Sequence, residues 1–167
     1  MTTKTLPASL VLGVLATLAI AGCNQRRNDS SSQTEQPDVQ TKASAGVTFY
    51  YGVVKGAIVR EHPTEHAEAN MHTGPPTSPA AYHIVLALFE TATNQRITDA
   101  TVEVRLGRLG GPVNTWLPME AMRDAGSESF GRYAELPDAG RYLLEFRVNR
   151  AGRTRPITEQ FAFERPE

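Results

Sequence analysis

Arg141-Tyr142-Leu143-Leu144-Glu145-Phe146-Arg147-Val148 decides how this chain is built. Tyr142, Leu144, Phe146 and Val148 recur at every second position, while Arg141, Glu145 and Arg147 surround the single apolar Leu143 on the other side. Side chains of an extended backbone point alternately to opposite faces. A period of two therefore describes a strand with one buried and one wet face, the signature of an antiparallel sheet. Moving outward, Thr101-Val102-Glu103-Val104-Arg105-Leu106 repeats the alternation, and Gln160-Phe161-Ala162-Phe163-Glu164 closes the chain with two aromatics two apart. Residues 83–89 are apolar on both faces, which predicts a central strand covered from both sides. Residues 49–59 form another apolar stretch, and Gly52 and Gly56 within it predict a bend or bulge.

Turn chemistry separates these runs. Thr91-Ala92-Thr93-Asn94-Gln95, Gly110-Gly111-Pro112 and Leu136-Pro137-Asp138-Ala139-Gly140 put Gly, Pro, Asn and Asp between the alternating segments. No ten-residue stretch past residue 45 has a helical period, and residues 120–125 suit one helical turn at most. About seven short strands in residues 46–167 predict an all-β fold, an immunoglobulin-like antiparallel β-sandwich. Trp116 is a candidate core anchor, although Pro118 beside it suggests a strand end or loop.

The beginning of the chain has a different character. Lys4 precedes an apolar run over residues 10–20, followed by Ala21, Gly22 and Cys23, the one cysteine among 167 residues. The run has the length of a signal-peptide core and is short for a permanent span. Ile20-Ala21-Gly22-Cys23 resembles the lipobox of bacterial lipoproteins. That resemblance implies a signal peptide over 1–22, cleavage before Cys23 and acylation of Cys23, palmitate included. Several acyl chains make a stable anchor. Asn24 stands where an Asp would resemble an inner-membrane retention signal, so the outer membrane, on its periplasmic side, is the expected location. Residues 23–45 contain one large aliphatic residue, Val39, and predict a flexible tether with a reach of roughly 25 Å.

Composition limits the function. The chain carries 17 Lys+Arg against 18 Asp+Glu, a net charge of −1. This balance supplies no basic stripe for nucleic acid. With only Cys23 present, the folded domain holds no thiol and no disulfide, which suits an oxidising compartment.

Residues 82–163 resemble the YtkA-like family of small exported β-sandwich domains. The matching features are Ile97-Thr98-Asp99-Ala100-Thr101-Val102, the Met-bearing Leu117-Pro118-Met119-Glu120-Ala121-Met122, and Gly131-Arg132-Tyr133 leading to Asp138-Ala139-Gly140-Arg141-Tyr142-Leu143-Leu144-Glu145. Tyr142 stands where that family often has Trp, and the family's Met-Gly-His run is missing. The resemblance implies the fold more than a task.

Three of four histidines fall in Arg60-Glu61-His62-Pro63-Thr64-Glu65-His66-Ala67-Glu68-Ala69-Asn70-Met71-His72. Imidazole with thioether suits copper, and imidazole with carboxylate suits zinc. The candidate metal ligands are His62, His66, Met71, His72 and His83, with Met119 and Met122 able to join. The competing reading is a solvated loop, which Pro63, Pro75, Pro76 and Pro79 favour. His62-Pro63-Thr64-Glu65-His66 also fits the H-x-x-E-H pattern of inverted zinc proteases. Pro63 opposes the helix that chemistry needs. No nucleophile–base pair or phosphate loop is present, so the chain is expected not to be an enzyme. The expected function is a lipid-anchored periplasmic binding domain for metal handling, with copper as the cofactor. The alternative is a structural module that docks on another envelope protein.

Overall fold

The computed structural model describes residues 39–71, 74–124 and 127–167. The expected signal peptide, the acylated Cys23, most of the tether and His72 lie outside them. Among the described residues there are nine strands: β1 (Gln40–Ser44), β2 (Val47–Lys55), β3 (Ala81–Glu90), β4 (Ala100–Arg108), β5 (Leu117–Pro118), β6 (Glu120–Asp124), β7 (Ser127–Glu135), β8 (Gly140–Arg150) and β9 (Ile157–Arg165). Two helical turns, α1 (Gly56–Val59) and α2 (Ala67–Asn70), interrupt the connection from β2 to β3. All pairings are antiparallel. One sheet has the order β1-β2-β3-β7-β6 and the other β5-β4-β8-β9. This is the two-sheet, immunoglobulin-like sandwich that the alternating segments predict.

The core lies between the sheets. Val47, Phe49, Tyr51 and Val53 of β2 and Tyr82, Ile84, Leu86 and Leu88 of β3 face Val102, Val104 and Leu106 of β4, Tyr142, Leu144, Phe146 and Val148 of β8, and Phe161 and Phe163 of β9. Tyr51 sits against Phe146 and Phe161, with ring centres 5.6 and 4.9 Å away. Tilted and edge-on contacts of this kind suit the charge distribution of aromatic rings. Tyr142, near the start of β8, donates from its hydroxyl to the Asp138 carbonyl at 3.0 Å. That bond fixes the corner by which the chain enters β8, as tyrosine corners do in related sandwiches. Arg150 of β8 reaches Glu90 of β3 at 2.6 Å and so ties the two sheets together. Glu90 raises the Arg150 pKa above its ordinary value by accepting that hydrogen bond.

Four expectations need correction. β1 falls inside the stretch 23–45 read as tether, because a polar segment at a sheet edge needs only backbone pairing and not an apolar period. Residues 120–124 form β6 rather than a helical turn, since they pair along β7. Gly56 opens α1 instead of bulging a strand. A Cβ there would lie 2.9 Å from the Ala81 carbonyl, so the turn packs against β3 at a distance only glycine permits. Trp116 lies outside the core, its ring against the guanidinium groups of Arg105 and Arg147.

Candidate metal site

The residues facing away from the core on the five-stranded sheet follow from its register. Paired residues in neighbouring antiparallel strands share a face. His83 pairs with Val54 on one side and with Tyr133 on the other, and Val85 pairs with Gly131. Met122 pairs with Ser129. His83, Val85, Val54, Tyr133, Gly131, Ser129 and Met122 therefore share the outer face. Around His83 this face is closed to water. The chain between β2 and β3 folds back across it, with α1 against β2 and β3 and α2 against β6. His83 is 2% exposed, Met122 6% and Met71 7%. Unlike Met119, which belongs to the core between the sheets, Met71 and Met122 stand apart from that core.

The donors meet because of a glycine. β7 runs between β3 and β6, so His83 and Met122 reach toward each other across it. Gly131 is the residue they cross. A Cβ built on Gly131 would lie 2.6 Å from Met122 Sδ and 2.7 Å from His83 Nε2. Both atoms thus occupy space that any other side chain at that position would claim. From the covering segment, Met71 Sδ approaches His83 Nε2 to 3.1 Å. One imidazole nitrogen and one thioether sulfur are gathered over a single glycine, and a second thioether contacts the imidazole. The His83 ring is held by Tyr133, whose ring centre is 4.8 Å away.

A cavity of about 230 Å³ opens beside these atoms, walled by Val54, Val59, His62, Ala67, His83, Val85, Met122, Ser127 and Ser129. None of these is a carboxylate. Among the described residues no three His, Cys, Asp or Glu side chains form a group able to hold a metal ion. Glu128, the buried acid next in sequence to this wall, is paired with Arg123 at 2.7 Å. The arrangement can offer neutral donors, imidazole and thioether, to a metal ion.

The candidate ligands therefore divide. Met71 and His83 come together. His62 shares the cavity wall with His83, and His66 lies beside His62 with ring centres 5.7 Å apart. Met122 joins the pair, whereas Met119 does not. Gly131 was not anticipated, although a glycine inside an otherwise alternating strand signals close approach of another group. The outer face of the other sheet carries paired charges instead: Arg105 with Glu145 at 2.5 Å and Arg147 with Glu103 at 2.7 Å, with the Trp116 ring against both arginines.

Fold and site together define an immunoglobulin-like sandwich with a soft-donor pocket on one outer face. Solved structures with this architecture include a DUF4426 family protein from Pseudomonas aeruginosa PAO1, with 18% identity, 77% of this chain and 96% of that chain covered and a TM-score of 0.59. They also include a copper-bound variant of FetP from uropathogenic Escherichia coli strain F11, at 13% identity, covering 77% and 95% of the two chains with a TM-score of 0.57. The copper-reconstituted P19 protein from Campylobacter jejuni matches at 11% identity over 77% and 94%, with a TM-score of 0.56. No protein-family model matches this chain, and neither does any curated protein. At these identities the likeness establishes the fold. The resemblance of residues 82–163 to YtkA-like domains is likewise one of sandwich architecture.

Proposed function

We propose that this protein is a lipid-anchored, periplasmic copper-handling domain that binds rather than catalyses. The observation that carries this reading is the convergence of buried thioethers on His83, Met122 across Gly131 and Met71 from the covering segment. A buried histidine facing two thioethers is an uncommon way to fill a sheet face, because aliphatic side chains would cover it without an imidazole to satisfy. Imidazole and thioether are ligands that copper accepts readily. The copper-bound states of FetP and P19 support the reading through their shared architecture. The lipobox-like Ile20-Ala21-Gly22-Cys23 supports anchoring. Among the described residues no helix is long and apolar enough to cross a membrane.

Two measurements test this. Copper titration of the purified full-length protein should give one ion per chain, and His83→Asn should abolish it. A protein that binds no copper, or binds equally well as His83→Asn, would leave an envelope interaction module as the better reading. In cells, Cys23→Ser should move the protein from the membrane fraction to the soluble one. Retention of Cys23→Ser in the membrane overturns the lipid anchor.

A further inference from the structure

The pocket's donor set carries a second conclusion, which rests on the metal-handling reading: the charge of the ion. None of the groups that converge is a carboxylate or a thiolate. Thioether sulfur and imidazole nitrogen give electron pairs and no negative charge. The cavity walls add Val54, Val59, Ala67 and Val85, together with the hydroxyls of Ser127 and Ser129 and the imidazole of His62. Burying an ion in such surroundings carries a solvation cost that grows with the square of its charge, so a divalent ion costs about four times a monovalent one. Zinc and cupric sites commonly offset that cost with carboxylate or thiolate. Glu128, the buried acid between the wall residues Ser127 and Ser129, is engaged with Arg123.

Geometry points the same way. Nitrogen and sulfur bound to one cation at about 2.0 and 2.3 Å lie about 3.5 Å apart at a tetrahedral angle. Met71 Sδ and His83 Nε2 are 3.1 Å apart, so a small separation of the two makes room for an ion. Met122 Sδ is gathered at the same glycine. Two thioethers and an imidazole form a low-coordinate, soft donor set. Cuprous copper suits that set, whereas zinc and cupric ions favour harder donors or higher coordination.

We propose that Met71 Sδ, Met122 Sδ and His83 Nε2 form a site selective for a monovalent soft cation, cuprous copper. Gly131 is the positioning residue that lets the donors meet. Silver(I) is the redox-inert probe of the same charge and softness. The test is calorimetry of the full-length protein in chloride-free buffer with silver(I), zinc(II) and copper(II), alongside proton–carbon spectra of the methionine methyl groups. One silver should bind at least a hundredfold more tightly than either divalent ion. The Met71 and Met122 methyl resonances should shift, while that of Met119, in the core between the sheets, stays in place. Met71→Leu and Met122→Leu, which keep the apolar volume, should each weaken silver binding tenfold or more. Gly131→Ala should do so in a folded protein, shown by an unchanged near-ultraviolet circular dichroism spectrum. Copper(II) binding as tight as silver overturns monovalent selectivity while leaving copper handling intact. Silver binding that persists in the Met71→Leu/Met122→Leu double variant overturns the site. Failure of every metal to bind overturns both readings.

Discussion

The two outer faces of the sandwich solve the same problem in opposite ways. Each sheet has a segment of irregular chain folded back over it. On the β5-β4-β8-β9 sheet that segment delivers Trp116, and the face beneath it is ionic: Arg105 with Glu145 and Arg147 with Glu103. On the β1-β2-β3-β7-β6 sheet the covering segment delivers Met71, and the face beneath it is neutral: His83, Met122 and Gly131. Charges that pair with each other close a surface. Neutral donors gathered at one point can bind a soft cation in common. The comparison teaches that polarity alone does not mark a site, since the more polar face is one of charges paired with each other.

Substitutions can break or sharpen this contrast. The largest effect is expected from the core that supports both faces. Phe146→Ala removes a ring packed against Tyr51 and Phe161 and should cost about 3–5 kcal/mol in chemical denaturation. If the two faces depend on a common core, the Met71 and Met122 methyl signals and the Trp116 fluorescence should be lost in the same transition. Separate transitions would show that the faces are independently supported. Trp116→Ala should be the next in size, at roughly 1–2 kcal/mol, since the ring meets two guanidinium groups at 4.6 and 4.3 Å. Its silver affinity should equal that of the wild type, and a weakened affinity would mean that the faces communicate. The smallest effect is expected from Glu103→Gln. It removes one partner of a partly exposed pair, should cost about 0.5 kcal/mol, and should fade as salt is added. A loss that survives molar salt would contradict the paired-charge account of that face.

The fold was legible where burial imposes a period. β4, β8 and β9 alternate because one face of each meets the core, and β3 is apolar on both faces, its outer side packing in part against α1. β1 and β6 were illegible for a shared reason. Both are edge strands held by backbone pairing, and Gln40–Ser44 and Glu120–Asp124 are polar enough to suit a tether or a helical turn. Trp116 misled because a large aromatic is usually read as core, whereas here guanidinium groups give its ring a surface on which to lie.

The site was half legible. His62, His66, Met71 and His83 are conspicuous as residue types, and chemistry alone selects them. Which of them converge depends on strand order. Met119 and Met122 are three residues apart, yet one lies in the core and the other in the pocket. Gly131 lies far from Met71 and His83 in sequence and becomes their neighbour only because β7 inserts between β3 and β6. No spacing rule reports such an insertion.

β1 has a mechanical consequence. Any pull arriving from the residues before Gln40 enters the domain through this strand. Its five residues pair with β2 from Gln40 opposite Tyr51 to Ser44 opposite Val47. Gln40 also donates to the Ala162 carbonyl of β9, and Lys42 bonds to the Gln160 carbonyl and to Glu159. The strand is fastened to both sheets, so a load along its axis is shared across all these bonds at once. A load at right angles opens them one after another. The domain should resist tension along β1 far better than tension across it, and the Gln40 end is where yielding would begin.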